Sequence, residues 1–135
     1  MVRPLPDDFL RTLADHDEVL VSSREGDRVG TVPVWFIEAP PGVVYLFTFG
    51  FSIKARRWRS DPWVRLTIPG TRCTVEGEAH LVNGAELEAV AARVVERWSM
   101  QGAPSVEGLR RTVRDGMHVL VCVDAGSADA PVRPG

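Results

Sequence analysis

The run at residues 29–37, VGTVPVWFI, limits what this chain can fold into more than any other. It is dense in β-branched and aromatic residues, which suit a pleated, half-buried surface. Yet Pro33 stands in its middle. Proline has no N–H to give to a ladder, so the strand must lie at an edge, carry a bulge or break there. A break would also leave backbone groups open to a ligand. Upstream, residues 18–23 form an apolar, strand-like run, and the turn signal Arg24-Glu25-Gly26-Asp27 joins the two into a hairpin.

The remaining pattern repeats this logic. After the turn at 39–42, residues 43–48 (VVYLFT) read as a third strand, 63–68 as a fourth, 72–82 as a fifth and 117–123 as a sixth. Helices fall between them. Residues 6–14 open at Pro6 or Asp7 and place Phe9, Leu10 and Leu13 on one face. Residues 85–100 carry the clearest stripe: Leu87, Val90, Ala91, Val94, Val95 and Trp98. Residues 105–114 form a shorter helix capped by Ser105. The pattern predicts an α+β fold, a six-stranded antiparallel β-barrel with flanking helices. At 135 residues this is one domain, assigned to 1–125, with 126–135 as a flexible, proline-containing tail.

Between the third and fourth strands lies GFSIKARRWRSD, residues 50–61. Lys54 is the only lysine in a chain with fifteen arginines. Ser52 is placed to cap a helix of one or two turns that carries Lys54, Arg56, Arg57 and Arg59. Hydroxyl, ammonium and guanidinium together suit a phosphate. The competing reading is a solvated basic helix, and composition alone favours it.

Other chemistry is missing. A net charge of −2 argues against general affinity for nucleic acid or membrane. Two cysteines without a CxxC pair give neither a zinc pattern nor a disulfide framework, so no metal site is expected, and Cys73 and Cys122 read as buried thiols. With no signal region and no apolar run long enough for a bilayer, the expected location is cytoplasmic. His16 reads as exposed and His80 and His118 as ordinary strand residues, while Glu76 and Glu78 fall on one wet strand face. No catalytic side chain stands out, which fits chemistry carried by a cofactor.

The ordered series VGTVPVWF, YLFTF, SIKARRWRSDPWVRLT and TVEGEAHLV, followed by a helix, resembles the pyridoxamine-5′-phosphate-oxidase-like split β-barrel family of flavin and deazaflavin enzymes. The resemblance implies a homodimer with cofactor sites at the subunit interface. It maps the cofactor ring onto Val32, Pro33, Val34 and Trp35, and the phosphate onto Thr48, Ser52, Lys54 and Arg57. It implies an oxidoreductase that moves a hydride between FMN or the deazaflavin coenzyme F-420 and a small organic substrate. The arginine surplus at 56–72 favours F-420, whose tail is more anionic. The sequence departs from the family at the valine inserted in Thr31-Val32-Pro33, at Phe49-Gly50-Phe51 and in its tail. A non-catalytic split barrel that binds flavin, haem or another small ligand is the alternative. Nucleic-acid binding through Arg56 to Arg72 is a weaker third, opposed by the overall acidity.

Overall fold

The computed structural model describes residues 2–125 and 133–134. Its strands are β1 (Glu18–Glu25), β2 (Arg28–Trp35), β3 (Ile37–Ala39), β4 (Val43–Phe49), β5 (Trp63–Thr67), β6 (Cys73–Leu81), β7 (His118–Asp124) and β8 (Arg133–Pro134). Its helices are α1 (Asp7–Leu13), α2 (Ile53–Ser60), α3 (Gly84–Trp98) and α4 (Val106–Arg114). The strands pair antiparallel in the order β2-β1-β5-β6-β7-β4-β3, and β8 joins the start of β6.

That order contains the closure of the fold. β2 and β3 follow one another with only Phe36 between them, yet they are the two ends of the sheet. One residue advances the chain by about 3.3 Å. The sheet must therefore curl until its edges meet at Phe36, which makes a half-barrel split along the seam between β2 and β4.

The expected six strands are corrected to a seven-strand path plus β8. The run at 29–37 divides at Phe36 and not at Pro33, which pairs with Leu20 inside β2. Pro33 is tolerated because β2 has a neighbour on one side only, so a missing donor there leaves no second ladder incomplete. Part of the expected tail, Arg133–Pro134, pairs with Thr74 and Cys73, while residues 126–132 and 135 lie outside the described residues.

Alternation along β4 and β7 divides the core in two. Val44, Leu46, Val121 and Val123 face one cluster, closed by Phe9, Leu10 and Leu13 of α1 and Trp58 of α2. Tyr45, Phe47, Leu120 and Cys122 face the other, against Leu87, Val90, Val94 and Trp98 of α3 and Leu109 of α4. β7 is consequently buried along its whole length. Each such leucine or valine contributes about 1.5–3 kcal/mol by leaving water. Cys122 is buried as expected, but Cys73 is exposed, because it stands at the start of β6, ahead of the part that β7 covers.

Candidate functional site

At the seam, the end of β2 and the end of β4 diverge around a cleft of about 230 Å³. Val34 and Trp35 line it from β2, and Phe47, Thr48 and Phe49 from β4. The end of α3 and the loop beyond it add Trp98 and Gln101, and β7 adds His118. The lining is aromatic on most sides, with Thr48 and Gln101 as uncharged polar groups.

The chain leaves this cleft through a tight turn into α2. Gly50 donates to the Met117 carbonyl at 2.9 Å, and its backbone lies so close to the Gly116 carbonyl that no Cβ would fit. Ser52 N–H then donates to the Phe49 carbonyl at 3.1 Å. The Ser52 hydroxyl accepts from Ala55 N–H at 3.1 Å, so the expected cap is present. The first turn of α2 holds no acidic residue. Its positive end therefore carries Lys54 with no carboxylate on that turn to neutralise it.

Lys54 is half-buried and makes no hydrogen bond or ion pair among the described residues. Burial holds its ammonium below the usual lysine range. A cation in this state gains from any anion that reaches it.

The arginines differ. Arg57 lies one turn beyond Lys54, but its guanidinium is mostly buried beneath the β1–β2 hairpin. Its Nη1 donates to Ser23 Oγ at 3.3 Å and sits where a Cβ on Gly30 would be. Its Nε lies 3.9 Å from a Glu25 oxygen, an ion pair too long for a hydrogen bond, and has no hydrogen-bond partner among the described residues. Arg56 pairs with Glu25 at 3.0 Å, and Arg59 donates to the Gly50 carbonyl. Arg65 and Arg24 flank the Trp63 ring, and Arg24 also pairs with Asp61 at 2.6 Å.

The residues singled out in the sequence therefore fall into four groups. Val34, Trp35 and Thr48 meet in the cleft. Ser52 and Lys54 stand at the start of α2, one short turn away. Val32 and Pro33 are exposed on β2 outside the cleft lining, and strand alternation puts Val32 on the Gly30 side and Pro33 on the Trp35 side. Arg57 is bound into the hairpin.

His118, Trp98, Gln101 and Phe47 were not among the expected site residues. His118 is no ordinary strand histidine. Its ring stacks on Phe47 at 4.8 Å and on Phe49 at 4.7 Å, and its Nδ1 shares a 2.7 Å hydrogen bond with Thr112 Oγ1. Burial holds its pKa below the usual value, which keeps the ring neutral. His16 is half-buried at the edge of a wider groove of about 570 Å³ beside Phe36, Arg93 and Arg97. There the two guanidiniums already donate to the Glu38 and Asp17 carbonyls, at 3.2 and 2.7 Å. Among the described residues no group of three or more His, Cys, Asp or Glu side chains could hold a metal ion. No helix among them is long and apolar enough to cross a membrane.

No protein-family model matches the chain, and no curated protein matches it by sequence. Solved structures do match. A Listeria innocua protein, provisionally described as a pyridoxamine 5′-phosphate oxidase, superposes with a TM-score of 0.63 at 19% identity, over 87% of this chain and 90% of that one. The heme storage protein HutZ of Vibrio cholerae gives 0.67 at 14% identity, over 93% and 92%. An FAD-binding protein of Mesorhizobium loti gives 0.60 at 15% identity, over 94% of both. The chain has the pyridoxamine-5′-phosphate-oxidase-like split-barrel fold.

Proposed function

We propose that this split-barrel chain is an oxidoreductase that moves a hydride between a bound flavin-type cofactor and a small organic substrate. One observation carries the reading: Lys54, a half-buried ammonium without a partner among the described residues, stands at the positive end of α2 beside the seam cleft. A single phosphate satisfies that cation, the Ser52 hydroxyl and the free N–H groups of the first turn together. Trp35, Phe47 and Phe49 offer the cleft's apolar walls to a planar ring, and Thr48 a hydrogen bond to its polar edge. Such a cofactor would supply the redox chemistry that no side chain here provides. Because Arg56, Arg57 and Arg59 already have protein partners, the uncommitted charge suits one phosphate, and FMN takes first place with F-420 second.

The seam cleft is open on one chain, and Phe49, Phe51, Ile53 and Met117 beside it are each more than half exposed. A second copy of the chain laid over them would complete two sites, as in the homodimer that the sequence resemblance implies.

A non-catalytic carrier of flavin or haem is the second reading. It is favoured by the likeness to a heme storage protein. Parallel fluorescence titrations with FMN and F-420 decide the first step, and reoxidation of the reduced complex by an acceptor separates enzyme from carrier. Lys54→Ala should weaken cofactor binding by about ten- to a hundredfold, the range for a hydrogen bond to a charged group. Arg93→Ala, in the other groove, should leave it unchanged. Binding of neither cofactor by the wild type, or unaltered affinity in a folded Lys54→Ala, would remove the basis of the proposal.

A further inference from the structure

The two sides of the seam cleft differ in what supports them. On the β4 side Phe47 is buried, with the His118 ring stacked on it. On the β2 side Trp35 is 36% exposed and ends a strand that pairs with β1 alone. A large ring so placed has several staggered rotamers open to it unless something outside its own strand holds it.

The last turn of α3 supplies that hold. Arg97 and Trp98 are consecutive there, and they engage opposite sides of the cleft. Trp98 packs against Phe47, with ring centroids 5.5 Å apart. Arg97 lays its guanidinium over the Trp35 ring, 4.3 Å from the centroid, within the range at which a cation is attracted to an aromatic face. Arg97 lines the wider groove and not the cleft, so it meets the ring from the groove side. The guanidinium is itself fixed, because its Nη2 donates to the Asp17 carbonyl just ahead of β1. It forms no ion pair with a carboxylate among the described residues, so its charge is not cancelled where it meets the ring.

We infer that Arg97 is a positioning residue of the seam site: it holds the Trp35 ring as the β2-side wall and, together with Trp98, sets the width of the cleft. The inference rests on the reading of that cleft as the seat of a planar cofactor ring. A wall already held in place loses little freedom when a planar ligand stacks on it, so the ligand binds more tightly.

The test begins without cofactor, on the full-length, ¹⁵N-labelled protein. The indole N–H resonance of Trp35 is assigned by its disappearance in Trp35→Phe. Arg97→Met keeps the length and the apolar stem and removes the cation, and it should move that resonance toward the position of free tryptophan. Arg97→Lys restores a cation and should return it part of the way. FMN titrations then read the consequence at the site. Arg97→Met should weaken FMN about two- to fivefold, the worth of a partly exposed cation–π contact. It should do so only while Trp35 is present, so that in Trp35→Leu the same substitution adds nothing. A residue that merely supported the fold would weaken FMN equally in both backgrounds. An unmoved indole resonance in Arg97→Met overturns the inference whatever the protein binds. A moved resonance with unaltered FMN affinity, or equal losses with and without Trp35, overturns the role at the site. A wild type that binds no FMN overturns the proposed function instead, and the indole resonance still decides whether Arg97 holds the ring.

Discussion

His118 is neutral in the folded protein because its ring is enclosed by Phe47 and Phe49, and burial penalises the imidazolium. Gly102 closes its Nε2 side so tightly that any Cβ there would collide with the ring. The folded pKa lies below the ordinary 6.5, so as pH falls the unfolded chain takes the proton first. Stability is then lost as pH drops through the unfolded value, and the loss levels off below the folded one. Urea midpoints measured from about pH 7 down to about pH 5 should fall in the wild type and fall less in His118→Asn. Parallel curves for the two proteins would show that the ring is not desolvated as described. None of this was readable beforehand. Ser52 and Ser105 announced themselves as caps because a cap bonds three residues along its own chain, to Ala55 and Gly108. His118 takes its surroundings from β4, from the end of α4 and from Gly102, and no local pattern carries that. Lys54 was legible for the opposite reason: its rarity and its place beside the Ser52 cap are both local.

At the level of elements, β6 pairs with β5, β7 and β8 and gives Val75 and Ala79 to the first core cluster. Gly77 sits where β6 passes the end of β7, and a Cβ there would run into the Asp124 carbonyl. The neighbour is backbone and has no rotamer by which to move aside. Gly77→Ala should therefore destabilise by about 1–3 kcal/mol, the range for an overpacked interior, in urea unfolding. A loss within the error of the extrapolation would mean that the strands do not approach so closely. The alternation in β6 and the stripe of α3 made both elements visible, with their ends shifted by one or two residues. The division between β2 and β3 was not visible in the same way. Pro33 marked an edge, a bulge or a break, and of these the edge holds, while the break at Phe36 is forced by the return of the chain to the far edge of the sheet. Only the paired order of all the strands contains that information.

At the scale of the whole molecule, four of the large apolar side chains left exposed lie close together in the chain or across a strand pair. Phe49 ends β4, Phe51 and Ile53 flank Ser52, and Met117 precedes β7, so they gather around the mouth of the candidate site. Phe51 is 70% exposed, and its ring stacks on Phe49 at 5.7 Å. A monomer has no reason to keep such a patch in solution, and patches of this kind mark contact surfaces. If a second copy covers it, two properties are coupled: association buries Phe51 and Ile53, and the same step encloses the ring of a cofactor held by Lys54. Phe51→Asp would then place a carboxylate at the centre of the contact. Sedimentation at micromolar concentration should find the wild type dimeric and this variant monomeric, and the variant should bind FMN more weakly although it retains Lys54. The two readouts separate the alternatives. Loss of the dimer with FMN affinity intact would confine the site to one chain. A wild type that sediments as a monomer would leave the exposed phenylalanines to a different partner and would remove the shared-site arrangement altogether.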